Sequence, residues 1–232
     1  MNSSSTSRPR EYERFDFHCH TYLTDGETSA TEMWRYAHLL RHRVLAVTDH
    51  IATEDPTRQL NRLREEAQGW EERGILPIIG VEVTHVPPSK IPDVVRTARR
   101  SGAEIVLVHG ETIAEEVAPG TNRAALETGE VDILAHPGLL TREEAELARD
   151  HGSILELSGR RAHSMTNGLV AKMAIEVGVP LVVDSDAHSP NQLLSAEAAS
   201  RIALGAGVEL SRLRAVLEEA PRALVRRLGR SL

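Results

Sequence analysis

Apolar residues along this chain fall into seven short runs. They are 14–18 (RFDFH), 44–48 (VLAVT), 75–83 (ILPIIGVEV), 105–109 (IVLVH), 131–136 (VDILAH), 153–157 (SILEL) and 180–184 (PLVVD). Each has the length of a buried strand, and most are rich in Val, Ile and Leu. Between them apolar residues recur at helical spacing. Thr28 or Ser29 can cap a helix through about Arg41, with Met33, Trp34, Ala37, Leu39 and Leu40 on its apolar side. A helix over 57–73 stops at Gly74, and one over 90–101 stops at Gly102. Residues 111–128 predict two short helices broken at Pro119-Gly120. Thr141 with Glu144 forms a capping box for a helix to His151, and a further helix over 166–177 ends at Gly178. After the seventh strand only helices remain, near 191–204 and 211–228. Strands alternating with helices at this pace mean βαβ units and a parallel sheet. Seven units in a chain of 232 residues fit an α/β fold, a distorted (β/α)7 barrel of TIM-like type. An open doubly wound sheet is the alternative. No linker or repeat divides residues 11–232, so one barrel domain with C-terminal helices is expected.

Composition narrows the function. Aromatics are only 3% of residues, so the core must be aliphatic, as parallel sheets under helices are. One cysteine allows no internal disulfide and implies a reducing, cytoplasmic setting. Residues 1–10 are polar and are expected to be a disordered tail, not a signal peptide. No run approaches a membrane span. A net charge of −7 disfavours a dedicated nucleic-acid surface. The dense basic segment Arg222–Arg230 is expected to be a solvated helix face.

The strand ends carry the chemistry. Strand one ends in His18-Cys19-His20, whose histidines share a face because strand side chains alternate. Strand two ends in Thr48-Asp49-His50, and strand three carries Glu82. The fourth and fifth end in His109-Gly110-Glu111 and His136-Pro137-Gly138. Strand six carries Glu156 and leads to Arg160-Arg161, and strand seven ends in Asp184-Ser185-Asp186-Ala187-His188. Six of eleven histidines thus fall on the C-terminal rim, where β/α barrels place their active sites. Glu82, inside an apolar run, needs a pair or a metal to be buried. The other five are expected to be uninvolved: His38, His42 and His151 on the surface, and His85 and His163 in loops just beyond strands three and six, where contact with substrate is the alternative. Imidazole and carboxylate without thiolate suit hydrolytic Zn, Mn or Fe. So many donors imply two or three divalent ions sharing a carboxylate, an arrangement suited to phosphoester hydrolysis.

His18-x-His20 with Asp25-Gly26, Thr48-Asp49-His50, Gly80-Val81-Glu82, His109, His136-Pro137 and Ser185-Asp186-Ala187-His188 resemble the polymerase and histidinol phosphatase (PHP) family in order over residues 15–190. The resemblance implies a distorted seven-stranded barrel that holds up to three metals and hydrolyses phosphoesters. It implies that His18, His20, Glu82 and Asp186 hold one metal. Glu82 would bridge to a second, held with His109 and His136, and Asp25, His50 and His188 would hold the third. Position 25 is histidine in some relatives, so aspartate here can alter the metal preference. The implied catalytic set is Glu82, Asp186, Arg160 and Arg161, with a metal-bridging hydroxide attacking phosphorus and an arginine binding the phosphoryl oxygens.

Three functions follow. The favoured one is a phosphatase of a small phosphate monoester, as in histidinol phosphate phosphatases. The second is a nuclease or nucleotide phosphatase on short oligonucleotides or nucleoside bisphosphates. The third is an RNA-binding subunit, because His109 through Asn122-Arg123 to His136-Pro137 is also similar to the PHP-like ribonuclease P protein. Acidic charge and a complete donor set weigh against the third. The 51–58 loop and the 166–176 region are expected to shape the pocket.

Overall fold

Alternation along the strands sets both faces of the sheet. In the computed structural model, which describes residues 12–232, the chain forms eight parallel strands. They are β1 (Arg14–Asp16), β2 (His42–Val47), β3 (His50–Ile51), β4 (Leu76–Val83), β5 (Ile105–His109), β6 (Ile133–Ala135), β7 (Ile154–Ser158) and β8 (Leu181–Asp184). Seven follow one another in the order β1-β2-β4-β5-β6-β7-β8, and the two-residue β3 pairs with the end of β4. The result is a nearly closed barrel wrapped by helices. The expected seven strands are therefore present, and β3 is an addition that pairs His50 directly with Glu82. The polar N-terminal segment, 1–10, lies outside the described residues.

Inside the barrel, Phe15, Val44, Ile78, Ile105, Ile133, Ile154 and Val182 form one apolar cluster. Their alternates, such as Leu45, Ile79, Val106 and Leu155, belong to the larger core under the helices. The barrel is not closed by a continuous ladder between β8 and β1. Only Cys19 and Ala187 form a bridge there, and side chains bond across the rest. Phe17 N–H donates to Asp184 Oδ1 at 2.7 Å and Ser185 N–H to Asp16 Oδ1 at 3.0 Å. Arg14 Nη1 donates to Val183 O at 2.6 Å and Nη2 to Asp16 Oδ2 at 2.6 Å. These groups satisfy backbone that would otherwise be buried unpaired.

The helices are α1 (Ala30–Leu39), α2 (Thr57–Glu66), α3 (Ile91–Arg100), α4 (Thr121–Glu127), α5 (Arg142–His151), α6 (Asn167–Val177), α7 (Ala196–Gly205) and α8 (Ala220–Arg227). Ser29 caps α1, and the Thr141–Glu144 capping box opens α5. Several expectations change. Helix α2 stops early because Gly69 takes φ +82°, and only a short 3-10 turn, Glu71–Arg73, continues. Residues 111–128 hold one helix, not two. Glu111 is no rim ligand: its Oε1 accepts the N–H groups of Gly120 and Asn122, both at 3.0 Å, and so caps α4. Leu39 is exposed, while Ala37 fills the buried face beside Met33 and Trp34. His42 is on β2 rather than on a helix surface. It is buried and its Nε2 bonds Leu194 O at 2.9 Å.

At the C-terminus a π turn, Ala215–Glu219, precedes α8. Pro221, which has no N–H to continue an α ladder, follows it. Leu224 and Val225 of α8 join the apolar cluster inside the barrel and plug its lower end. The basic residues of this segment are largely paired: Arg222 with Glu13, Arg227 with Asp132, and Arg230 with Glu71 and Glu104. Among the described residues no helix is long and apolar enough to cross a membrane.

Candidate metal centre

The inward parity that carries Ile105 and Leu107 into the barrel brings His109 to its mouth. On β4, Glu82 follows Ile78 at the same parity, and on β7 Glu156 follows Ile154. Glu82 and Glu156 are fully buried, as are His18 and His20. His50, Asp25 and His188 stand nearer the opening, with Asp25 the most exposed.

Nine expected donors converge in three overlapping sets. His18, His20 and Asp186 form one, Glu82, His109 and His136 the second, and Asp25, His50 and His188 with His20 the third. Within them nitrogen–oxygen separations run from 3.1 Å (His188 Nε2–Asp25 Oδ2) to 3.7 Å (His18 Nε2–Asp186 Oδ1). A tetrahedral ion with ligands near 2.0–2.1 Å has donor–donor edges of roughly 3.3–3.4 Å. Apart from the His188–Asp25 hydrogen bond, the spacing is thus long for hydrogen bonds and right for a shared cation. Buried His18 Nε2, His20 Nε2, both His109 nitrogens and Glu82 Oε1 have no hydrogen-bond partner. Buried polar atoms rarely go unpaired, so this concentration fits ligands aimed at ions. Other shorter contacts hold the donors in place. Glu156 Oε2 lies 2.7 Å from His18 Nδ1, which leaves Nε2 directed into the site. Thr84 Oγ1 lies 2.6 Å from His50 Nδ1.

Electrostatics follow from burial and mutual charge. Burial holds His20 down at about 3, and burial lowers His109 even though Glu82 beside it favours the charged ring. Burial also opposes a charged His50, but Glu82 and Asp25 outweigh it and push the ring up to about 10. Despite complete burial, His18 and His50 hold the Glu82 carboxyl well below the usual range. Asp25 and Asp186 are likewise held low by histidines. The centre therefore keeps its carboxylates ionised, as cation binding requires. Two donors also carry backbone strain: His136 has φ +26° and Asp186 φ +50°. Such conformations cost about 1–3 kcal/mol each and cluster at functional sites. Two glycines allow the necessary close approaches. A Cβ on Gly26 would lie 2.6 Å from His20 O, and one on Gly138 1.7 Å from Glu111 O.

All the donors except the fully buried His18 and His20 line one cavity of about 510 Å³, with Ile51, Ala52, Glu54, Thr84, His85, Glu115, Arg160 and His163. The 51–58 loop contributes as expected, whereas the 166–176 helix does not. Arg160 lies in the wall: its guanidinium bonds the His188 ring and sits 3.8 Å from Asp186 Oδ1. Arg161 is exposed and outside the lining, which separates the two expected arginines. Asp49 is not a donor to this cavity. It accepts from Thr21 N–H and Oγ1 and from Thr24 Oγ1, fixing the turn that carries Asp25. Sequence reasoning placed His163 beyond strand six, within reach of substrate, but favoured an uninvolved role, and it passed over Glu115. Each sits in a loop with no apolar run ending at it. Only a glance at which loops follow β5 and β7 points to them.

A nearly closed β/α barrel with this rim of imidazole and carboxylate donors defines a class, the metal-dependent hydrolases. The PHP domain family matches residues 16–161, and the chain belongs to that family. An uncharacterised protein of Methanocaldococcus jannaschii is 40% identical over 219 residues, 93% of this chain and 100% of the relative. A protein named ribonuclease P protein component 3, of Methanosarcina mazei, is 27% identical over 230 residues, 93% of this chain and 90% of the relative. Among solved structures, histidinol phosphate phosphatase of Lactococcus lactis, complexed with Zn, L-histidinol and phosphate, superposes with TM-score 0.61 at 13% identity. That match covers 85% of this chain and 95% of the other. Ochratoxinase of A. niger gives 0.59 at 12%, covering 92% and 71%. These two likenesses are of fold.

Proposed function

We propose that this protein is a metal-dependent phosphoesterase that hydrolyses a small phosphate monoester. One observation carries the reading: three donor sets, two sharing His20 and the third brought by Glu82 to 3.5 Å from His18 Nε2, gather at a single cavity with one guanidinium in its wall. His18, His20, Glu82 and Asp186 hold a first ion, Glu82, His109 and His136 a second, and Asp25, His50 and His188 a third. When bound, such divalent ions (Zn, Mn or Fe) activate water and neutralise charge on a phosphoryl group. The protein's own part is placement. Glu156 fixes the His18 tautomer, and Thr84 orients His50. Arg160 offers N–H donors to phosphoryl oxygens from beside His188 and Asp186. The exposed Arg161 has no contact with that position, so the phosphate role falls to Arg160 alone. The cavity suits a compact ester.

The test is phosphate release by the Mn- or Zn-loaded protein from L-histidinol phosphate, sugar phosphates, mononucleotides, nucleoside bisphosphates and a short oligonucleotide. Chelated protein serves as control. Metal-dependent turnover of monoesters is the expected result. Silence across the panel with metals bound would overturn the proposal, and preference for the oligonucleotide would move it to the nuclease reading.

A second reading, an RNA-binding subunit, draws on the similarity to ribonuclease P protein component 3. The pairing of Arg222, Arg227 and Arg230 with acidic residues leaves little free basic surface in that segment for phosphates. A salt-sensitive RNA complex formed without metal would favour this second reading.

A further inference from the structure

His163 lies outside the nine donors, yet it lines their cavity and is 3% exposed. Its Nδ1 is 2.8 Å from Thr112 Oγ1. That hydroxyl also accepts the Ala114 N–H at 3.2 Å, and because the ring's other nitrogen faces two carboxylates, the hydroxyl proton is the one shared with Nδ1. A neutral imidazole that accepts at Nδ1 carries its proton on Nε2. Nε2 points into the cavity, 3.5 Å from Glu115 Oε1 and 3.7 Å from Asp186 Oδ2. A protonated nitrogen facing two carboxylates is a donor for anions and cannot ligate a metal. The ring also stacks on His136 at 4.1 Å between centroids, so this donor stands beside the Glu82–His109–His136 set. Glu115 comes from the half-open loop between β5 and α4. Its carboxylate also lies 3.4 Å from His109 Nε2 and 3.7 Å from His85 Nε2. Its oxygens thus occupy a spot where an anionic acceptor is favoured.

We infer that His163 is a substrate-binding residue whose Nε2–H donates to a phosphoryl oxygen, and that Glu115 holds that place until the substrate arrives. The inference rests on the phosphoesterase reading for its ligand. Thr112 acts through His163 as a positioning residue that fixes the tautomer, and Glu115 as a competitor on an exposed loop.

The experiment is calorimetric binding of inorganic phosphate to the full-length, Zn-loaded protein, with zinc content measured for each variant. His163→Leu is expected to weaken phosphate binding about tenfold, the scale of one hydrogen bond to a charged group, with zinc content unchanged. His163→Gln, which keeps an N–H near the same point, is expected to restore most of the loss. Glu115→Gln is on a partly exposed loop and does not disturb the core. It is expected to tighten phosphate binding a few-fold. Unchanged phosphate affinity in His163→Leu, loss of a zinc equivalent in it, no gain in Glu115→Gln, or no phosphate binding by the parent protein would each overturn the inference. Phosphate binding that follows this pattern, without turnover of any ester, would overturn the phosphoesterase proposal and leave the donor assignment standing.

Discussion

The two ends of this barrel are built from the same strands and follow opposite rules. At the lower end Phe15, Val44, Ile78, Ile105, Ile133, Ile154 and Val182 pack with Leu224 and Val225, and side chains there are apolar. At the upper end the same alternation brings up Glu82, His109 and Asp186. There polar atoms are buried without partners, and two residues hold positive φ. The lower end gains stability from burial. The upper end gives some up, because ligands must stay unpaired until ions arrive. Stability and chemistry are thus separated along the barrel axis, and mutations at each end should report on different quantities.

The largest expected effect is at the top. His109→Ala removes a donor from the second set, and metal-dependent phosphate release should fall to background. The metal-free fold should melt no earlier than the parent, because the ring's nitrogens had no partner to lose. A melting temperature lower by many degrees in calorimetry would contradict the division between the ends. Conversely, Leu224→Ala cuts the plug at the bottom. It should cost about 2–5 kcal/mol in denaturant unfolding while leaving the metal content intact. Loss of metal in that variant would show that the two ends are coupled.

Next comes a pH effect that belongs to the seam rather than the metal centre. Burial, with the Arg14 charge beside it, holds His42 down at about 4, against 6.5 when unfolded. The unfolded chain therefore takes up a proton between these values and the folded chain does not. Stability from this group is full above about pH 6.5 and declines as pH falls toward 4, by up to about 3 kcal/mol. His42→Gln can keep a donor to Leu194 O and should flatten that part of the stability–pH curve. An unchanged slope would exclude the assignment. The smallest effect is expected beneath the site. Glu156→Gln still bonds His18 but no longer carries charge, and zinc affinity should fall about 10–100-fold. Equal affinity in a chelator competition would mean that Glu156 serves the barrel interior alone.

Much of this molecule follows from local pattern. Seven aliphatic runs between amphipathic segments required a parallel sheet under helices, because strands buried on both faces have no polar alternative, while closure into a barrel was one of two open outcomes. Period-two alternation then placed a histidine, glutamate or aspartate ending each run on the C-terminal rim. The set of nine, Asp25 among them, was implied by the resemblance to the PHP family rather than by alternation. Punctuation by Ser29, Thr141, Gly74, Gly102, Gly152 and Gly178 was equally local. What the sequence could not determine depends on residues far apart meeting in space. His42 looked like a surface residue until Leu194 covered it, 152 positions away. Arg160 and Arg161 are neighbours in the chain, but only one faces the cavity. His163 and Thr112 are 51 residues apart, and Glu156 and His18 are 138 apart. No periodicity links such pairs. Their hydrogen bonds exist only once the barrel has closed and brought successive loops onto one rim. The sequence thus determined which side chains reach the rim, and the tertiary structure decided which of them bind, which orient and which only cover.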